Sequence, residues 1–316
     1  MKALSLAEQY YHTHLKATFQ EQFPVLFDQL AFGLVGTGSE CFGYDDELSK
    51  DHDWGPRVCI WVDEQVYIQE AERLQMAYKS LVTNAVDNQA PRDGVLSIQR
   101  FFAYFLGNSG LPKSWKEWLV LSDEHLAHCT NGKVFSDPSG QFSRYREVLL
   151  SYYPDDVWLK KISATCIRIS QYGQYNLQRA LKRNDVLGAE YCRAEFCSQV
   201  VSLACLLRRT YKPFYKWQYR KLDELGVLGL SLKDRMLRLY STPISAEDQI
   251  MQGVEGVVSL LIDALVTHER ISGWLSSWHT SETQKQEHNY LQNYGFAVNA
   301  IIQNKSIREL IGYVPV

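Results

Sequence analysis

The sequence predicts an α+β fold: a small mixed sheet with flanking helices over residues 1–150, then a helical bundle over residues 151–316. Three observations predict it. Before residue 150, short β-prone runs alternate with stretches of helical periodicity. After Tyr153-Pro154, apolar residues recur at 3.6-residue spacing through most of the chain. The length of 316 residues, with 46% hydrophobic side chains, suits one large domain or two ordinary ones with a sizeable core.

The elements follow in order. Residues 4–30 show amphipathic helical spacing. AFGLVG at 31–36 is a short apolar run ending in a glycine turn, and RVCIWV at 57–62 is the clearest strand, rich in β-branched and aromatic residues. Gln65–Ser80 reads as a helix, GVLSIQ at 94–99 as a third strand, and RFFAYFLG as an aromatic helix after it. Ser122 is placed to cap DEHLAHC, and KVFSD followed by PSG reads as strand and turn. In the second half Pro154 stands at a helix start, with Asp155 and Asp156 at the positive end of the dipole of DDVWLKKISATCIRIS. Further helices are predicted near 174–184, 186–210, 214–225, 231–240, 245–270 and 281–304, with Pro213 and Pro243 at boundaries.

Composition narrows the function classes. A formal net charge of −3 argues against gripping long nucleic acid, which runs on counterion release by clustered Lys and Arg. A single nucleotide needs only a local pocket and stays open. The seven cysteines form no C-x-x-C and no zinc-type spacing. The N-terminal residues lack a secretory h-region, and VVSLLIDALV at 257–266 is short for a bilayer span and contains Asp263. The expectation is a cytoplasmic protein with free thiols and no membrane partner.

The chemistry concentrates in GTGSECFGYDDELSKDHDW at 36–54. Gly36, Gly38 and Ser39 stand where the first strand ends. Glycine permits positive φ, so amides there point at an anion, and Ser39 adds a hydroxyl donor. Asp51 and Asp53 are read at the start of the next strand, where side chains at i and i+2 share a face. Two adjacent carboxylates repel, and a hard divalent cation such as Mg²⁺ (or Mn²⁺) relieves that repulsion while binding substrate phosphates. The alternative is a solvated Gly/Asp-rich loop.

A strand, then Val35-Gly36-Thr37-Gly38-Ser39, a short helical turn, and Ser49-Lys50-Asp51-His52-Asp53-Trp54 entering a strand resembles the nucleotidyltransferase superfamily of polymerase-β-like fold. The words SECFGYDDELSKDHDWGPR, YYPDDVW, GQYNLQRALKR and YKPFYKW resemble a bacterial family within that group, catalogued as domain of unknown function 4037, over about residues 30–225. The resemblance implies a mixed nucleotidyltransferase-type sheet. It implies Gly38 and Ser39 on the β/γ-phosphates of a nucleoside triphosphate, and Asp51 and Asp53 as catalytic ligands of two Mg²⁺ ions. An acceptor hydroxyl of a small molecule or protein would attack the α-phosphate. A nucleotide-binding sensor or scaffold of the same fold is the alternative.

The superfamily's third carboxylate is expected on the strand at 95–99, where Ser97 stands; Asp93, Asp123, Glu124 and Asp137 are the nearby acids. Glu40 and Asp45-Asp46-Glu47 read as surface and helix-terminus charges. Arg57 is read as pairing with Asp46 or touching a phosphate. In the helical half, QYGQYN at 171–176 with Arg179, and YKPFYKW with Tyr215 and Lys216, offer amides, aromatic faces and cations. Arg179, Tyr215 and Lys216 are therefore nucleotide-binding candidates. The competing reading packs the aromatics between helices. His125 and His128, at i and i+3, lack accompanying metal ligands.

Overall fold

The computed structural model describes residues 2–51, 55–82, 92–107, 110–283 and 290–310, with Lys50, Asp51, Glu282 and Thr283 described by backbone alone. The fold is α+β. It divides into two compact units: residues 1–113 with 124–152, and residues 114–123 with 153–316.

The first unit is built on a four-stranded sheet of β1 (Ala31–Leu34), β2 (Cys59–Val62), β3 (Gly94–Ser97) and β4 (Lys133–Ser136), in the order β3-β2-β1-β4. β1 runs antiparallel to β2 and β4, and β3 runs parallel to β2. The parallel step follows from the Glu64–Leu81 helix, which carries the chain back to the starting end of the sheet. Asp63 caps that helix by accepting from Gln65 N at 3.0 Å.

Alternation along the strands sends Phe32 and Trp61 to opposite faces. Phe32 meets Tyr11 (5.0 Å between ring centroids) and Phe19 (5.7 Å) from the N-terminal helical segment. Trp61 stacks on Phe142 (3.9 Å) and meets Phe101 edge-on (5.5 Å). Both faces of the sheet are thus covered.

The helix expected over 4–30 ends at Gln22 and contains a π-turn at Tyr11–Leu15. Strand β2 starts at Cys59 rather than residue 57. The helices Trp115–Val120 and Gln141–Leu150 went unassigned in the sequence. The first carries a complete capping box between Ser114 and Glu117.

The second unit is helical. The second half of Val186–Leu207 is apolar and buried almost throughout, from Phe196 through Val200 and Leu203, so it runs through the core. Asp155–Ile169 packs against it and against Leu291–Ala300. The helix expected at 245–270 is Glu247–Val266, and a separate helix, Ser272–Thr283, follows it. Glu247–Val266 is long and apolar enough to cross a bilayer by length and composition, and its Ile250, Val254, Val257, Leu261 and Leu265 stripe is buried within the unit. All seven cysteines are free and buried.

Candidate functional site

The turn after β1 has the backbone that its glycines permit: φ is 126° at Gly36 and 119° at Gly38, in the region that favours glycine. The Asn131 side chain braces Gly36 from both sides, accepting its N–H at 2.9 Å and donating to its carbonyl at 2.7 Å. Beyond it, Ser39 opens the short 3₁₀ turn Glu40–Phe42. Its carbonyl accepts the amides of Phe42 (3.2 Å) and Tyr44 (2.8 Å). Among the described residues, the N–H groups of Gly38 and Ser39 donate to no partner.

Ser39 Oγ lies 3.4 Å from Ser49 Oγ. That contact brings the 3₁₀ turn Glu47–Asp51 beside the glycine turn. Asp46 holds the turn by accepting from Leu48 N (3.1 Å) and Ser49 N (3.2 Å). Asp45, also in the acidic cluster, accepts from Ala3 N at 2.9 Å. Both stand at helix termini as read, but Asp45 is buried, at 4% exposed, rather than on the surface. Asp51, however, closes a 3₁₀ turn, and β2 begins only at Cys59, past Gly55-Pro56. The expected i, i+2 strand geometry therefore does not hold at Asp51. The Asp51 side chain and Asp53 lie outside the described residues.

Arg57 pairs with Glu40 rather than with Asp46. It is 6% exposed, and among the described residues its buried Nη1 has no hydrogen-bond partner. A Cβ built on Gly38 would fall on the Glu40 carboxylate, so that carboxylate sits against the turn.

The β2–β3 register decides where a third acid can stand. Cys59 pairs with Gly94 and Val62 with Ser97. β1 is antiparallel to β2, so the glycine turn lies at the starting end of β2 and hence of β3. Ser97 is at the opposite end, where it accepts Arg100 N (3.2 Å) as a helix cap and donates to Glu64. The expectation that residue 97 faces the site fails because the strands are parallel.

Arg92 and Asp93 occupy the near end instead. Arg92 Nε donates to Thr37 Oγ1 at 3.3 Å, and Asp93 Oδ2 accepts from Tyr78 OH at 3.5 Å. The same Tyr78 hydroxyl accepts Val58 N (3.1 Å). Burial first, and then the Asp93 charge, hold the Tyr78 phenol in its protonated, donating form. Among the described residues, no three His, Cys, Asp or Glu side chains are grouped to hold a metal. Sequence reasoning missed the roles of Asn131 and Arg92 because both act across more than 50 residues of chain. Only the Asn-Gly pair at 131–132 marks a turn there.

In the second unit, Arg179 is exposed on the short helix Gln178–Lys182. Tyr215 and Lys216 are exposed ahead of Gln218–Lys221, with the Lys216 ammonium 5.0 Å from the Trp217 ring centroid. The amides and phenols of residues 171–176 join helices. Gln174 accepts Leu291 N (3.0 Å) and donates to Glu255 (3.1 Å). Tyr175 stacks on Tyr290 at 4.9 Å. A cavity of about 690 Å³ opens among Arg208, Arg209, Val227, His268 and Arg270, and none of Arg179, Tyr215 or Lys216 lines it.

The densest buried chemistry of this unit surrounds Asp123, 1% exposed. Its carboxylate accepts Tyr153 OH at 2.6 Å and Lys212 N at 3.3 Å, and stands 3.9 Å from the ammonium of the fully buried Lys161. Lys161 also donates to Leu121 O (3.3 Å) and faces the Tyr153 ring at 4.8 Å. Burial pushes the Lys161 amine down to about 8. The Lys212 amine is also lowered by burial and donates to Ser202 Oγ at 2.7 Å.

Residues 118–218 match the family model described as Domain of unknown function (DUF4037). That stretch is similar to the DUF4037 domain over about a third of the chain. It contains YYPDDVW, GQYNLQRALKR and YKPFYKW, and with them Asp123, Tyr153, Lys161 and Lys212. The DUF4037 match does not reach the glycine turn, so the likeness read over about residues 30–225 narrows to 118–218. No curated protein and no solved structure matches the chain.

Proposed function

We propose that the first unit binds a nucleoside triphosphate at the glycine turn and transfers its nucleoside monophosphate to a hydroxyl of a small molecule or protein, the α–β phosphate bond breaking and pyrophosphate leaving. The observation that carries this reading is the contact between Ser39 and Ser49, which sets the 3₁₀ turn Glu47–Asp51 beside the glycine turn; Asp53 follows two residues on in the sequence. The Gly38 and Ser39 amides and the Ser39 hydroxyl would hold phosphate oxygens. Asp51 and Asp53 are hard oxygen donors of the kind Mg²⁺ or Mn²⁺ takes, and Asp93, which accepts from Tyr78 just ahead of β3, is the candidate for the third acid. A bound divalent cation would polarise the α-phosphate. In this reading Asp93 would hold the attacking hydroxyl or accept its proton.

The test is incubation with α-labelled nucleoside triphosphates, Mg²⁺ or Mn²⁺, and a metabolite or protein extract. Label transfer lost in both Asp53→Ala and Asp93→Asn supports the reading. Tight nucleotide binding with no transfer to any acceptor leaves a binding module of the same site. Absence of nucleotide binding removes both.

A further inference from the structure

We propose that Arg57 is the phosphate clamp of the glycine turn and that Glu40 is its resting counter-ion, which an incoming triphosphate displaces. This rests on the nucleotide reading above and adds how the site is kept closed to weaker anions.

Three observations converge. The Arg57 guanidinium is buried, yet among the described residues its Nη1 has no hydrogen-bond partner. Buried donors are almost always satisfied, and a guanidinium offers a planar fork suited to phosphate oxygens. Among the described residues Arg57 holds the Glu40 carboxylate, which satisfies Nη2 and leaves Nη1 over. That same carboxylate rests against Gly38, where no side chain stands between it and the backbone. An anion therefore already sits where the turn would receive one.

Glu40 and a phosphate cannot share the place, because two anions against one buried cation repel. The Glu40 side chain is 12% exposed and ends three bonds from its backbone, so it can rotate outward; Arg57, at 7%, stays. A polyphosphate reaching both guanidinium nitrogens would satisfy Nη1 as well, and a monovalent carboxylate does not. The arrangement selects for a highly charged ligand over a single weak anion.

Calorimetric titration of the full chain with inorganic triphosphate and with ATP, each with Mg²⁺, tests this. Removing the competing charge in Glu40→Gln should tighten triphosphate binding by about tenfold, on the scale of one charge-assisted contact. Glu40→Asp, which keeps the charge and shortens its reach, should fall between. Arg57→Lys, without the fork, should weaken binding by about tenfold or more. Far-ultraviolet circular dichroism verifies each fold, and if Glu40→Gln does not fold, the Glu40→Asp shift decides.

Wild-type binding that is unchanged or weakened in both Glu40 variants overturns the clamp while leaving the nucleotide reading standing. The expected order for triphosphate, with no preference for ATP over triphosphate in any variant, supports the clamp and removes the nucleotide reading. No binding by any form overturns both.

Discussion

A fully buried ammonium beside one carboxylate puts Lys161 and Asp123 at odds with their surroundings. Desolvation disfavours the charged lysine more than Asp123 restores it, with Arg168 and Lys212 adding to the depression, so the amine titrates near 8. In the unfolded chain it keeps its proton to about 10.4. Between those values the unfolded state binds the extra proton, so this residue's contribution to stability rises with pH across that window. Below pH 8 the folded chain carries the full penalty. Urea unfolding from pH 7 to 10 should therefore show the wild type gaining on Lys161→Met by an amount of order 2 kcal/mol. A gap between the two that does not change with pH would refute the assignment. Nothing in the spacing of Asp123, Lys161 and Lys212 announces this cluster. It forms because Tyr153 and Tyr211, in two separate words of the DUF4037 stretch, bring their neighbours to one carboxylate.

At the scale of elements, the strands were legible because β-branched and aromatic residues run between turn residues, and the helices because their apolar stripes recur at 3.6. The direction of β3 was not legible: periodicity is the same for parallel and antiparallel strands, and only the register of Cys59 with Gly94 settles it. That one fact puts Ser97 at the far end of β3 and Asp93 at the end near the glycine turn. The QYGQYN segment was misleading in another way, since its polar groups lie in a π-helical stretch, Ser170–Leu177, that serves the helix contacts. Gly173 is part of that device: a Cβ there would run into the Phe196 ring. Gly173→Ala should lower the unfolding free energy by about 1–3 kcal/mol through overpacking. Triphosphate binding at the glycine turn should be unaltered, as read by chemical denaturation alongside calorimetry. An undiminished stability would mean that Phe196 yields freely and that the close approach is not needed.

For the whole molecule, the change of character near residue 150 was visible as the end of the strand signals. What the sequence does not display is that residues 114–123 cluster with the later helices and residues 124–152 with the sheet. The chain therefore passes between units three times. Lys161 bonding to Leu121 and Trp118 lying 5.7 Å from Tyr153 are contacts across dozens of residues, beyond the reach of local patterning. A fragment of residues 153–316 would lack Asp123 and the Trp115–Val120 helix and leave Lys161 buried without its carboxylate. It should melt broadly or aggregate, whereas a fragment of residues 114–316, which retains them, should give a sharper transition by differential scanning calorimetry. Equal cooperativity of the two would show that the ten-residue segment is dispensable.

The seven buried thiols have a practical consequence of their own. Burial raises the thiol pKa at each of them, so they stay protonated and shielded at neutral pH. Cys41, Cys59 and Cys129 belong to the first unit; Cys166, Cys192, Cys197 and Cys205 belong to the second. A thiol-labelling reagent in native buffer thus reads opening events in place, and peptide mapping of the label assigns each event to one unit. The chain carries its own pair of clocks for local breathing, with no engineered probe.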